Sequence, residues 1–241
     1  MILCHDFRSA KFVLASTSSR RETIFKKVAP DFRFEKMAPK FKEDLPKNEE
    51  FRKYPGKYVR ANAMMKAYDV AMRLDDEDNE KVVVIGADTI LVSSANVILE
   101  KPKDAEDAKR MLRRLSGSTC DAMTGVCIVF FEKNLKDAIV KSFVETTSIQ
   151  FANLSKDAID SYVNTKEPLD KAGSIGYQGY GASLIRKING CYWNVVGLPL
   201  HKLCEGLNEV LSSERDHNTS LSNESFFKDI KRFSSLLDDR G

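Results

Sequence analysis

A chain of 241 residues, 42% hydrophobic and 30% charged, is long enough for one sizeable core or for two lobes sharing a cleft. Its formal net charge of +3 is too small to mark a nucleic-acid binder, so positive potential has to come from local clustering. No apolar run approaches the roughly 18 residues of a membrane span, and residues 1–9 carry His5, Asp6 and Arg8 in place of a signal peptide's apolar stretch, so a cytoplasmic protein is expected.

Residues 11–15 read as a short buried strand. The turn Ser16-Thr17-Ser18-Ser19-Arg20-Arg21 then opens a helix, in which Ser19 and Glu22 have capping-box spacing and Ser18 serves equally as the cap. Pro30 closes that helix, and the polar stretch 39–55 reads as a loop. A second helix is predicted over about residues 57–74, where Val59, Ala63, Ala67, Val70 and Leu74 lie near helical spacing. Residues 81–85 form a β-branched run, predicted as a buried central strand ending in Gly86-Ala87-Asp88-Thr89. Residues 90–99 fit a hairpin turning at 93–96, and 104–115 a helix whose acidic first turn and basic end match its dipole. Long strand patterns follow at 120–131 and 138–151, then a short helix at 155–164. Four of the twelve glycines fall at 173, 176, 179 and 181, ahead of a strand pair at 182–188 and 192–196. Gly197-Leu198-Pro199 leads into a closing helix that should end near Leu211. Residues 212–241 turn polar, with Phe226, Phe227, Ile230, Phe233 and Leu237 near helical spacing, which suits a tail helix docking on its own domain or on a partner. Helices alternate with strands while the hairpins exclude an all-parallel sheet, so the fold class is mixed α/β.

Four places could carry chemistry. At the Ser16–Arg21 turn a helix start offers unpaired N–H groups, and Arg20 and Arg21 add charge-assisted donors for phosphate oxygens. A solvated first turn is the plainer reading, but arginines oppose the dipole there, so their presence asks for an anion. Asp88, at a strand end, could hold a divalent cation, accept a proton from an attacking water, or merely bond its own turn. Lys66 among Ala and Met, Lys101 before Pro102, and Lys171 in Glu167-Pro168-Leu169-Asp170-Lys171-Ala172-Gly173 form a phosphate site only if they converge. The glycines of 173–181 allow close backbone approach to a flat base or sugar, although a tight irregular loop explains them as well. Neither GxGxxG nor a P-loop GKS/GKT occurs. The five cysteines (Cys4, Cys120, Cys127, Cys191, Cys204) and three histidines (His5, His201, His217) are scattered without CxxC or HExxH, which argues against zinc ribbons, disulfide frameworks and a Ser–His–Asp triad.

Taken in order, LASTSSRRE, YVRANAMMKA, VVVIGADTILV, ILEKPKDAEDAKRMLRRLSGSTCDAMTGV and EPLDKAGSIGYQGYGASLIRKINGCYWNVVGLPL resemble the Maf family of nucleotide pyrophosphatases, over residues 11–207. The resemblance implies a Maf-like domain over residues 1–211 and a separate tail over 212–241. It implies a mixed sheet with flanking helices, in an elongated two-lobed α/β fold with a central cleft, similar to the inosine triphosphatase-like fold. Asp88 takes the place of the catalytic carboxylate and proton acceptor. Arg20, Thr89 and Gln178 match positions tied to substrate choice; Thr after the Asp, with Gln in the YQG segment, is similar to the subgroup acting on dTTP and UTP. Arg21, Lys66 and Lys101 match residues that hold the triphosphate, and Ser16 belongs to the same turn. Glu167, Asp170 and Lys171 match the block bordering the site. Glu43 is the implied counterpart of an acidic residue near the metal, so Mg²⁺ or Mn²⁺ is implied between Asp88 and Glu43. Ser19, Glu100 and Cys120 replace a frequent Pro, Gly and His of the family, and none of these departures removes a catalytic group.

The implied reaction is attack of water on the α-phosphorus of dTTP, UTP or a modified pyrimidine nucleotide, releasing pyrophosphate and a monophosphate. Two alternatives stand beside it: a house-cleaning hydrolase for non-canonical purine triphosphates, and a nucleotide-binding cell-division regulator without turnover. The expected partner is a nucleoside triphosphate, with a homodimer in keeping with the family and neither membrane nor nucleic acid expected.

Overall fold

The computed structural model describes residues 10–28, 33–43, 45–74, 81–132 and 138–215; Pro30 and the helical spacing at 226–237 lie outside these residues. Strand β1 (Lys11–Ala15) leads into helix α1 (Ser19–Val28). Of the two candidate caps the structure selects Ser18, whose Oγ accepts from the Arg21 backbone N–H at 3.3 Å. Glu22 is drawn away to Lys26 at 2.8 Å and Lys36 at 2.7 Å, so the capping box with Ser19 does not form. Strand β2 (Phe34–Met37) follows, and the stretch expected to be all loop contains a short helix, α2 (Glu49–Lys53). Asn48 caps α2 by accepting from the Phe51 N–H at 2.9 Å, and buried Phe51 anchors it. Helix α3 (Pro55–Ala71) starts with Pro at its first turn, where the missing N–H costs nothing, and ends before Leu74.

The strand expected to stop at Gly86 runs on. Strand β3 (Lys81–Ser93) passes straight through Asp88, and only β4 (Ile98–Leu99) turns back on it. Gly86 is therefore not a turn glycine. A Cβ there would lie 2.2 Å from the Ala63 carbonyl oxygen, and one at Gly125 would lie 2.4 Å from that of Val59. Both glycines let α3 lie directly on the sheet. Helix α4 (Ala105–Leu115) is capped by Asp104, and the hairpin β5 (Thr119–Glu132) with β6 (Ile139–Phe151) pairs antiparallel along its length. Helix α5 (Lys156–Asn164), capped by Ser155, precedes 3-10 turns at Glu167–Asp170, Ala172–Ser174 and Tyr180–Leu184, then edge strand β7 (Ile185–Asn189).

The second strand of the expected last pair is a helix, α6 (Tyr192–Val196). Gly190 at φ +126° turns the chain off the sheet, and the buried Asn194 amide donates to the Ala122 carbonyl and the Thr147 hydroxyl, both at 3.0 Å. Helix α7 (Leu200–Arg215) runs past Leu211, so the change of composition at 212 falls inside a helix.

The seven-stranded sheet has the order β2-β1-β3-β5-β6-β7, with β4 on β3; the β1 pairings are parallel and the rest antiparallel. One face carries α1, α6 and α7 over Phe12, Leu14, Ile85 and Ile128, and the other carries α3 over Val13, Val84 and Val129. A third core joins α4 and α5 to the far half of the sheet. Along one edge of β3, β1 reaches only to Gly86 and β4 begins only at Leu91. Ala87 to Ile90 are left uncovered between them. That gap opens the cleft.

Candidate active site

The cleft holds about 630 Å³, a size suited to a nucleotide. Its walls are the Ser16–Arg21 turn, α3, the uncovered stretch of β3, Glu100 and Lys101, and the loop through Gln178. Ser16, Arg20, Arg21, Glu43, Lys66, Asp88, Thr89, Lys101, Lys171 and Gln178 all line it, so the residues singled out from the sequence do converge. Glu167 stands behind the wall instead of in it.

Successive side chains of a strand point to opposite faces. Asp88 accordingly points towards α3, and Thr89 towards α1 and α6. Asp88 is 8% exposed and its Oδ1 accepts from Lys66 Nζ at 2.8 Å. Lys66, 3% exposed, also pairs with Glu43 Oε2 at 2.7 Å. Its ammonium is thus engaged by two carboxylates, which leaves one of its three N–H donors for any further partner. The close seating of α3 on Gly86 and Gly125 is what brings a buried lysine down onto Asp88.

Arg21 occupies the other face. Its Nε donates to the Gly197 carbonyl at 2.8 Å, Nη2 to Thr89 Oγ1 at 2.9 Å, and Nη1 to Ser16 Oγ at 3.5 Å. Burial pushes its pKa down, the Asp88 and Glu43 carboxylates oppose that shift, and Arg20 adds to it. Of its five N–H donors, two have no partner among the described residues. Thr89 Oγ1 also lies 3.0 Å from Thr124 Oγ1, and Thr124 donates to the Asn194 carbonyl at 3.1 Å.

Arg20 reaches across the opening to Asp170 at 3.2 Å, and Lys171 holds the other oxygen of Asp170 at 2.5 Å. Burial works to raise the Asp170 pKa, but Lys171 and Arg20 outweigh it and hold the group below the ordinary carboxylate range. Lys101 and Gln178 line the cleft with no hydrogen bond or ion pair among the described residues. Glu100 accepts from the Tyr58 hydroxyl at 2.6 Å and pairs with Lys47, so the residue that departs from the family pattern ties α3 to the segment carrying Lys101.

The glycine-rich loop is built around Glu167. Its carboxylate accepts from the Tyr162 hydroxyl at 3.1 Å and from the backbone N–H groups of Tyr180 at 2.8 Å and Gly181 at 3.2 Å. A Cβ on Gly176 or Gly179 would lie 2.1 or 2.3 Å from that carboxylate. These glycines make room for Glu167, a use that composition could not reveal.

Among the described residues no three His, Cys, Asp or Glu side chains gather as a metal site. Two carboxylates do meet at Lys66, and Asp88 Oδ2 and Glu43 Oε1 have no protein hydrogen bond among the described residues. Hard oxygen donors of this kind suit a small divalent cation that takes its other ligands from phosphate and water. The residues present fit Mg²⁺ or Mn²⁺.

A family model described as Maf-like protein matches residues 11–210. The chain belongs to the Maf-like family. A dTTP/UTP pyrophosphatase of Acetivibrio thermocellus is 41% identical to this Maf-like chain over 201 residues, covering 83% of it and 94% of the relative. One of Clostridium perfringens is 40% identical over 197 residues, covering 82% and 95%. The human protein named "Probable bifunctional dTTP/UTP pyrophosphatase/methyltransferase protein" is 42% identical over 213 residues, covering 86% of this chain and 34% of that one. Among solved structures, the Staphylococcus aureus Ham1 protein overlaps 59% of this chain and 72% of its own at 18% identity and a TM-score of 0.36, too loose a likeness to bear on the site. No helix among the described residues is long and apolar enough to cross a membrane.

Proposed function

We propose that this Maf-like chain hydrolyses dTTP and UTP to the monophosphate and pyrophosphate, acting on free nucleotides in the cytoplasm. The observation that carries the reading is the division of the cleft by one strand: a buried carboxylate on one side of β3 and a half-buried guanidinium on the other, each with polar atoms that have no partner among the described residues. The printed names of the relatives, at about 40% identity over most of the chain, supply the substrate class.

The two remaining Arg21 donors and the Lys101 ammonium, which has no partner among the described residues, hold phosphate oxygens. Gln178, which lines the cleft, reads the pyrimidine edge through its amide, and leaves its own groups unpaired against an ill-matched base. Asp88 Oδ2 accepts a proton from water as the water oxygen bonds to the α-phosphorus. The bond from that phosphorus to the α–β bridging oxygen breaks, and the electron pair leaves with pyrophosphate. Lys66 holds Asp88 and Glu43 in place for this. A divalent cation held by Asp88 and Glu43 supplies charge neutralisation to the phosphate oxygens when bound.

The test is release of pyrophosphate, scored against orthophosphate, from all common triphosphates plus ITP and 7-methyl-GTP with Mg²⁺ or Mn²⁺. Pyrimidine triphosphates should yield pyrophosphate, and Asp88→Asn should lower the rate by about 100-fold or more. Faster turnover of ITP would favour the house-cleaning role. Nucleotide binding without any turnover would sink the enzyme reading in favour of a regulator.

A further inference from the structure

Thr124 is fully buried on β5, directly across from Thr89 in the β3–β5 register. Its Oγ1 lies 3.1 Å from the Asn194 carbonyl oxygen and 3.0 Å from Thr89 Oγ1. A carbonyl oxygen only accepts, so the single hydroxyl proton of Thr124 goes to Asn194. Thr89 must then donate to Thr124, while the Thr89 oxygen accepts from Arg21 Nη2 at 2.9 Å. With both Thr124 contacts made as hydrogen bonds, the donor inventory sets the direction of all three bonds. On the other side, the Gly197 N–H donates to the same Asn194 oxygen at 3.0 Å, and the Gly197 carbonyl accepts Arg21 Nε at 2.8 Å. The bonds close a ring through Arg21, Thr89, Thr124, Asn194 and Gly197. Gly197 sits at φ +126°, a conformation that a side chain would strain.

We infer that Thr124 is a positioning residue which, acting through Thr89, fixes the Arg21 guanidinium for the phosphate chain. This rests on the proposed role of Arg21 in binding phosphate. It also gives Thr89 a definite part: with its proton committed to Thr124, it has none to donate to a ligand oxygen, and it acts on the substrate through Arg21. Packing alone does not call for a hydroxyl at position 124, because valine has nearly the same shape and favours strands at least as well. Loss of the hydroxyl leaves the Asn194 carbonyl with its Gly197 donor, so the cost falls on the Arg21 side of the ring.

The experiment compares Thr124→Val, Thr124→Ser and Thr89→Val with the parent protein in two readouts. The first is the ¹⁵N–¹H signal of the Arg21 side chain and its protection from solvent exchange, which needs no turnover. The second is kcat/KM for pyrophosphate release from dTTP. Thr124→Val and Thr89→Val should each expose the Arg21 Nη2 protons to exchange, and Thr124→Val should lower kcat/KM by about tenfold, the worth of one hydrogen bond of this kind. Thr124→Ser, which keeps the hydroxyl, should restore both readouts. In an Arg21→Lys background Thr124→Val should have no further effect on kcat/KM. Unchanged Arg21 protection in Thr124→Val overturns the inference, as does a failure of Ser to rescue. Absence of turnover in the parent protein counts against the proposed function, while the Arg21 signals still decide the relay.

Discussion

Replacing Lys66 with methionine would remove the ammonium that joins Asp88 to Glu43 while nearly conserving volume in α3. Its ammonium lies 2.8 Å from Asp88 and 2.7 Å from Glu43. The two contacts are not equal. The Glu43 side chain is 50% exposed, so water screens its share and its loss should cost little. Asp88 has a side chain only 11% exposed, and without Lys66 its carboxylate stays buried with its 2.8 Å ion-pair partner removed. Unit charges about 4 Å apart interact by roughly 4 kcal/mol at an effective dielectric near 20, and breaking a buried pair from one side costs about 3–5 kcal/mol. With the Glu43 term discounted, the lower end applies, about 3 kcal/mol. For a domain of this size that is a fall in Tm of roughly 6–12 °C. Lys66→Met with Asp88→Asn should recover most of the loss, because an amide tolerates the site uncharged. Urea unfolding of the parent, both single variants and the double variant measures the coupling. A Lys66→Met cost below about 1 kcal/mol, or a double variant no more stable than Lys66→Met, would refute the claim that this ammonium holds the Asp88 charge in place.

Two other predictions concern the loop and the acid limb. Glu167→Gln would set an amide NH₂ against the donors of Tyr180, Gly181 and Tyr162. The loop carrying Gln178 should loosen, raising KM for pyrimidine triphosphates about tenfold with a smaller change in kcat; steady-state kinetics showing a loss confined to kcat would place Glu167 in the chemistry instead. Hydrogen bonds from Lys26 and Lys36 hold the Glu22 carboxyl down to about 2 from 4.5. Because the folded pKa is depressed, the unfolded chain binds the extra proton, so this contribution is complete above pH 4.5 and disappears as pH falls through about 2. Urea midpoints of the parent and Glu22→Gln should therefore differ at about pH 6 and draw together by about pH 2; a gap that stays constant across that range would rule the linkage out.

Periodicity placed most elements within a few residues, because α4, α5, β5 and β6 each carry a clear apolar face or a long β-branched run. It failed where a residue type had two uses. Gly86-Ala87-Asp88-Thr89 looked like a turn because glycine and aspartate are common in turns, yet Gly86 is there to admit the Ala63 carbonyl of α3. Tyr192–Val196 looked like a strand because five residues rich in aromatic and β-branched side chains are too few to display a helical period. In the site, Asp88, Arg21 and Ser16 stood out by position along the chain, but the pairing of Lys66 with Glu43 and Asp88 is a contact between three distant segments. Thr124 was missed for a plainer reason. A threonine within a strand is ordinary, and only its register opposite Thr89 gives it meaning.

That register bears on why an acidic residue and a threonine stand side by side in the cleft. Adjacent strand residues face opposite sides, so Asp88-Thr89 sends one functional group to each side of β3. On the α3 side, Lys66 pairs with Asp88, the proposed acceptor of the water proton, and with Glu43. On the other side, Thr89, backed by Thr124, holds the guanidinium proposed to bind phosphate. The backbone between Asp88 and Thr89 is pinned by β5, which pairs Asp88 with Gly125 and Thr89 with Thr124. The proposed proton acceptor and the proposed phosphate clamp are therefore set at a fixed separation by a strand interior, not by a loop. The gap between β1 and β4 supplies the access that such a buried placement would otherwise deny, which is why a substrate site can lie in mid-strand and not at a strand end.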